Sequence, residues 1–314
     1  TDGDGDGAVA NDAAATTSTT TANVVEVIYT DIVTQTSNGD QTLTDTDLVG
    51  VGSDTLTGIE TASLTGGAAA NTIDASGFSG STTLSGGDGA DSLIGGSGTD
   101  SMLGEAGNDS LIGGAGDDIL SGGADDDSIA GSSGTDKIVQ SINADQALTD
   151  TSLTGQGTDT LSGIESADLT GGAAANTIDA TGFSGTATIT GGAANDTLTG
   201  GSGNDSLLGE DGEDVLNGGA GDDVIDGGAN DDKVTQTVDG DQTLGDTLLT
   251  GQGTDTLAGI ESAELTGGAG ANTIDASGFA AGSVTIDGGA GNDTLSGGTG
   301  NDSITGGEGT DQLN

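Results

Sequence analysis

The sequence predicts an all-β chain wound as a right-handed parallel solenoid, and three observations predict it. A nine-residue frame, G-G-x-G-x-D-x-U-x with U a large apolar residue, recurs without a gap in three separate blocks. The last three positions of each copy, such as "SLI" at 110–112, suit a very short strand whose middle side chain points inward. Glycine fills 64 of the 314 positions and proline none, which fits tight turns and a backbone whose amides are needed for pairing. Repetition at a short fixed period marks a stacked solenoid, where each unit touches mainly its neighbours.

Taken in order, residues 1–33 form an N-terminal arm and strand. "TDGDGDG" sets Asp2, Asp4 and Asp6 at the spacing of a cation-binding loop with Gly7 at the turn, but the twelfth place is Ala13 rather than glutamate. A flexible acidic linker is the reading taken, with an additional ion site the alternative. "AAATTSTTTA" follows as a threonine-rich connector, and "NVVEVIYTDIV", from Asn23, alternates as a strand.

Residues 34–139 make a first module, with spacer turns at 34–85 and six copies of the frame at 86–139. Asp91, Asp100, Asp109, Asp118, Asp127 and Asp136 hold the sixth place; Leu93, Met102, Leu111, Leu120, Ile129 and Ile138 hold the eighth. Residues 140–235 make a second, with a spacer at 140–190 and five copies at 191–235 carrying Asp196, Asp205, Asp214, Asp223 and Asp232. Residues 236–314 make a third, with a spacer at 236–287 and three copies at 288–314 carrying Asp293, Asp302 and Asp311. The chain begins at Thr1 without methionine and closes on a complete copy at Asn314, so a mature product or fragment that continues is expected.

The spacers repeat too. "GSDTLTGIETASLTGGAAANTIDASGFSG", from Gly52, returns from Gly157 and again from Gly253 with few changes. Asp54 to Asp159 is 105 residues and Asp159 to Asp255 is 96, a difference of one nine-residue copy. The spacers therefore read as further turns of the same solenoid with a decayed frame. "TGQGTDTLS" keeps Asp159, as its relatives keep Asp54 and Asp255, whereas Asn71, Asn176 and Asn272 replace aspartate elsewhere. Phe78, Phe183 and Phe279, once per long repeat, are expected to plug the solenoid where its coil widens.

Two copies would close one coil of 18 residues, so coils stack into two parallel sheets with the eighth-place side chains as a thin core. Aspartates of successive coils would then stand about 4.8 Å apart on one edge. The chain holds 52 acidic residues against two lysines, Lys137 and Lys233, a formal charge of -50. With aromatics at 1% there is little core to oppose that repulsion, so the chain should be disordered unless a hard cation sits between the carboxylates.

The frame resembles the nonapeptide of the RTX (repeats-in-toxin) family. The resemblance implies a parallel β-roll with calcium-binding turns, Ca2+ as the ion, and export from a bacterium, usually by a type I route, with folding outside the cell. The fourteen sixth-place aspartates would hold calcium between copies two apart, giving four, three and one complete sites in the three blocks. Asp54, Asp159 and Asp255 would add sites where they stack beside a good turn. Glu105, Ser132 and Glu210 replace a second glycine, and Asp125, Ala194 and Asn230 a fourth, so those turns are expected to bind more weakly.

Other features narrow the function. Histidine, cysteine and arginine are absent, so there is no catalytic triad, zinc motif or arginine clamp, and no enzyme is expected. A polyanion has no grip on phosphate backbones, and no apolar run is long enough to span a bilayer; neither nucleic-acid binding nor membrane insertion is expected. The N-D-S and N-D-T sequons at Asn108, Asn195, Asn204, Asn292 and Asn301 fall inside the frame, where a glycan would crowd the turn. The two lysines read as solvated. The expected function is a calcium-dependent structural roll of a secreted bacterial cell-surface or matrix protein, self-associating into a surface layer, adhesive stalk, sheath or filament. The alternative is the calcium-folded export and stabilising region of a secreted enzyme or toxin whose active domain lies outside residues 1–314.

Overall fold

The computed structural model describes residues 9–10 and 31–314, and these are all-β, with no helix among them. The acidic "TDGDGDG" stretch, the threonine-rich connector and the strand expected from Val24 lie outside the described residues. The chain divides into two units, Thr1–Val139 with Gln156–Ile164, and Gln140–Gly155 with Glu165–Asn314.

In the first unit one sheet runs Ile32–Thr36, Thr61–Thr65, Ser81–Asp88, Ser101–Ala106, Ile119–Ala124 and the start of Lys137–Ser141, every neighbouring pair parallel. Val9–Ala10 lies antiparallel on its Ile32–Thr36 edge. The second sheet runs Gln41–Thr44, Thr72–Gly77, Ser92–Ile94, Ser110–Ala115, Ser128–Ser133 and Thr158–Ser162, again parallel. Copies alternate between the sheets, so strand neighbours are two copies apart. Leu84, Met102, Leu120 and Ile138 align on one side, and Ile73, Leu93, Leu111, Ile129 and Leu161 on the other, all buried. This is the thin core that the eighth place predicts.

The second unit repeats the plan. Ser166–Thr170, Thr186–Ala193, Ser206–Asp211, Val224–Ala229 and Thr254–Ala258 pair in parallel. Opposite them run Gln146–Thr149, Thr177–Gly182, Thr197–Thr199, Val215–Asn217, Lys233–Thr237, Ser262–Thr266, Ser283–Asp287 and Ser303–Thr305. Leu198, Leu216, Val234 and Val284 are buried in one ladder, whereas Leu313 in the last copy is 54% exposed.

The glycines of one copy have two separate duties. Gly113 is needed for close approach: a Cβ there would come within 2.3 Å of Asp118 Oδ2 and 2.7 Å of the Gly131 carbonyl oxygen. Gly114 and Gly116 are needed for handedness, with φ of +112° and +115°. Some strands stay at three residues, such as Ser92–Ile94, and others run longer. Ser110–Ala115 pairs through Ile112, skips Gly113, and pairs again at Gly114 and Ala115.

The six departures from the frame are the six described non-glycine residues with positive φ: Glu105, Asp125, Ser132, Ala194, Glu210 and Asn230. Each keeps the glycine conformation against the clash of its own Cβ, roughly 1–2 kcal/mol apiece. Ala194→Gly, at φ +77°, is therefore expected to raise stability by about 0.5–1 kcal/mol after the looser unfolded chain is counted. The same change at Ala193, which lies in a strand outside the left-handed region, should lower it. Denaturant midpoints of both variants in calcium check the sign.

The spacers hold one correction. Their "GGAAANTID" segments are solenoid turns, but each long repeat also carries an antiparallel excursion that starts or ends on strands of the parallel sheets. Gln41–Thr44, Asp47–Val49 and Ser53–Thr55 form one, and Gln242–Gly245, Leu248–Thr250 and Thr254–Ala258 another. Gln146–Thr149 pairs likewise with Ser152–Thr154. The cause is a pair of leucines around a two-residue turn. Leu43 faces Leu48, Leu148 faces Leu153 and Leu244 faces Leu249, and all six are buried. Buried glutamines clasp the base: the Gln236 amide donates to Gln242 Oε1 at 3.1 Å, and Gln242 donates to the Thr266 carbonyl at 2.9 Å. Phe78, Phe183 and Phe279 are buried, each in a tight turn whose N–H meets the carbonyl three residues back.

Candidate metal centre

The sixth-place aspartates assemble into rows along the turn edges. Beyond the first of each row, each accepts, through Oδ1, the backbone N–H of the preceding aspartate on its edge. Asp91 donates to Asp109 at 2.7 Å, Asp109 to Asp127 at 2.8 Å, and Asp127 to Asp159 at 3.1 Å. The alternate row runs from Asp100 to Asp118 at 2.8 Å and on to Asp136 at 2.9 Å. In the second unit Asp196, Asp214 and Asp232 make one row, Asp205, Asp223 and Asp255 another, and Asp293 with Asp311 a shorter one. Asp302 accepts from Val284 at 2.9 Å. Asp159 and Asp255 thus stack beside good turns from 32 residues away. Asp54 stands in the excursion strand Ser53–Thr55, and the residue 32 before it, Ala22, lies outside the described residues.

Each row opens on an uncharged residue. Asn71, Asn176 and Asn272 donate their N–H groups to Asp91, Asp196 and Asp293 at 2.6, 2.7 and 2.8 Å. The three asparagines occupy the aspartate's place, each accepting from a glycine N–H four residues back. A second, outer ladder runs beside the first. Asp117, Asp126, Asn195, Asn204 and Asn292 at the fifth place accept backbone N–H groups from the next turn on their edge. That ladder gives Asn195, Asn204 and Asn292 of the recurrent N-D pairs a structural use.

One oxygen of each inner aspartate remains. Oδ2 of Asp91, Asp109, Asp118, Asp127, Asp196, Asp214, Asp223, Asp232 and Asp293 is buried and has no hydrogen-bond partner. It faces the Gly–Gly corner: a Cβ on Gly104 would lie 2.3 Å from both Asp109 Oδ2 and the Gly122 carbonyl oxygen. Carboxylate and carbonyl oxygens therefore converge in a cradle that any side chain on the first glycine would fill. Asp100 and Asp205 differ, since their Oδ2 atoms accept from Gly96 and Gly201 at 2.7 and 2.6 Å. Among the described residues no three acidic side chains meet at one point, so a cage here would draw on one or two carboxylates and several carbonyls.

Burial raises these carboxyls, and neighbouring carboxylates add to it. Asp118 is pushed up to about 7, and Asp109, Asp127, Asp159, Asp232 and Asp255 to about 6. Asp91, Asp100, Asp196, Asp205, Asp214 and Asp223 are also raised by burial, against N–H groups that favour the charged form. A buried carboxylate without a partner is costly, and a hard cation relieves it. The donors fit such an ion: all are oxygen, they are spaced one per coil, and the orphaned Oδ2 atoms point where it would sit.

Not every lone charge stays solvated. Lys233 Nζ donates to Glu264 Oε2 at 3.0 Å across paired strands, an exposed ion pair worth less than about 1 kcal/mol.

A cradle of Gly–Gly corners and stacked aspartates on parallel coils defines a calcium-binding β-roll. A family model for the RTX calcium-binding nonapeptide repeat, in four copies, matches residues 76–111, 103–138, 181–216, 208–235, 264–279 and 285–314. Together these segments exceed half of the chain, and the chain belongs to the RTX calcium-binding nonapeptide repeat family. Comparison with curated proteins finds no match. Calcium, when bound, would neutralise the rows and tie adjacent coils, held by the Oδ2 atoms and the corner carbonyls.

Proposed function

We propose that this chain is a calcium-dependent structural segment of a secreted bacterial cell-surface or extracellular-matrix protein, and that it acts by assembling or extending. The observation that supports this is the way the spacers are built. Excursion, plugged turn and roll recur as one unit, and the spacer strands add to the same sheets as the nonapeptides. The long repeat is then a building element. Its acidic faces would keep copies apart until calcium screens and bridges them.

Assembly is therefore expected to need more calcium than folding. Light scattering and electron microscopy across a calcium titration, at several protein concentrations, test this. Growth of ordered particles above the folding midpoint is the expected result. A chain that stays monomeric at high calcium and high concentration would put the alternative ahead, an export and stabilising region for a domain elsewhere.

A further inference from the structure

The aspartate row of the second unit does not stop with the nonapeptides. Asp214 donates its N–H to Asp232 Oδ1 at 2.8 Å, and Asp232 in turn donates to Glu261 Oε2 at 3.0 Å. The backbone continues with it. A Cβ on Gly209 would lie 2.3 Å from the Gly227 carbonyl oxygen and 2.2 Å from Asp214 Oδ2. A Cβ on Gly227 would lie 2.1 Å from the Gly259 carbonyl oxygen and 2.6 Å from Asp232 Oδ2. Gly259 thus supplies the carbonyl that the first glycine of another copy would supply, and Glu261 stands where that copy's aspartate would stand. Only Ile260 separates them, and the longer glutamate side chain reaches the row from this tighter turn.

The orphaned oxygen lies at the same point. Asp232 is fully buried, and its Oδ2 has no hydrogen-bond partner although it faces this corner. The hydrogen bond recurs in the first unit, where Asp31 donates its N–H to Glu60 Oε2 at 2.8 Å across the same separation of 29 residues. Gly58 and Gly259, two residues before each glutamate, share φ of +67° and +58°.

We propose that Glu261 is the terminal ion ligand of its row, with Glu60 in the equivalent place of the first unit, so that the spacer "GIE" builds a calcium site no nonapeptide supplies. The proposal rests on the reading of the aspartate rows as calcium ladders. At neutral pH a second carboxylate beside the buried Asp232 Oδ2 and the Gly259 carbonyl is costly, and a cation among these oxygens relieves it.

Equilibrium dialysis of the full chain, with calcium bound per chain as the readout, tests it. Glu261→Gln keeps an oxygen for the Asp232 N–H and removes the charge; it should bind one calcium fewer while keeping its calcium-induced β signal in circular dichroism. Glu264→Gln removes the same charge nearby but outside the row, and should keep the full count. Should Glu261→Gln lose the folded signal, Glu60→Gln puts the same question in the first unit, again with a loss of one ion expected. If either glutamine variant folds with an unchanged count and midpoint, or if Glu264→Gln loses as much, this inference falls and the ladder stands. If the unaltered chain takes up no calcium, both fall.

Discussion

In chelator at neutral pH the chain is expected to be an expanded coil, and millimolar calcium is expected to convert it to the β-roll. The core is a thin set of ladders, mostly leucine, isoleucine and valine with Met102 and three phenylalanines, and little other bulky apolar surface exists to offset the ordering entropy of 64 glycines. Against it stand a formal charge of -50 and rows of buried carboxylates with unpartnered oxygens. Ion binding exists only in the folded form, so its free energy is folding free energy. Circular dichroism should show disorder in EDTA and β-structure on adding calcium. Scattering should show contraction from a radius of gyration of roughly 60 Å, the scaling for an unfolded chain of this length. Magnesium should do this poorly, because it sheds water reluctantly and suits a carbonyl-rich cage badly. A native-like β signal in EDTA at neutral pH would overturn the expectation.

Acid is expected to replace calcium in part. Burial raises Asp118 to about 7 and Asp109, Asp127, Asp159, Asp232 and Asp255 to about 6, from an ordinary value of 3.8. The folded, ion-free chain therefore binds more protons than the unfolded chain between these limits. The stabilisation this carries is complete below about pH 4 and is lost as pH rises through 6 to 7. In EDTA the β signal should grow as pH is lowered from 8 toward 4, with no metal present. With calcium the sign reverses, since the ion needs the ionised carboxylates: binding should release protons, and the calcium midpoint should rise as pH falls below about 7. Titrations at stepped pH, with and without chelator, read both effects. A calcium midpoint that does not move between pH 8 and pH 5.5 would count against the rows as the binding site.

Some of this was legible because it is periodic. The nine-residue register carries the coil, the inward place of Leu93 and Leu111, and the meeting of aspartates two copies apart. All of these follow from side-chain period and turn chemistry within 18 residues. Asp159 and Asp255 were also readable, because "TDT" preserves the frame beyond the blocks.

What lay beyond reach was the excursion itself and the contacts it sets off the ninefold frame, such as Asp232 with Glu261 across 29 residues and Ser79 with Asp45 across 34. The leucine pairs at 43/48, 148/153 and 244/249 fit a solenoid turn as well as a hairpin, and pairing partners alone separate the two. Asp31 and the glutamates of "GIE" carry the signal in plain view: "TDIVTQT" parallels "DDKVTQT", and the glutamate recurs at 60, 165 and 261. Their spacing obeys no ninefold count. The excursion takes up a length of chain that is not a multiple of nine before the coil closes, so only the folded backbone brings Glu261 onto the row that Asp232 ends.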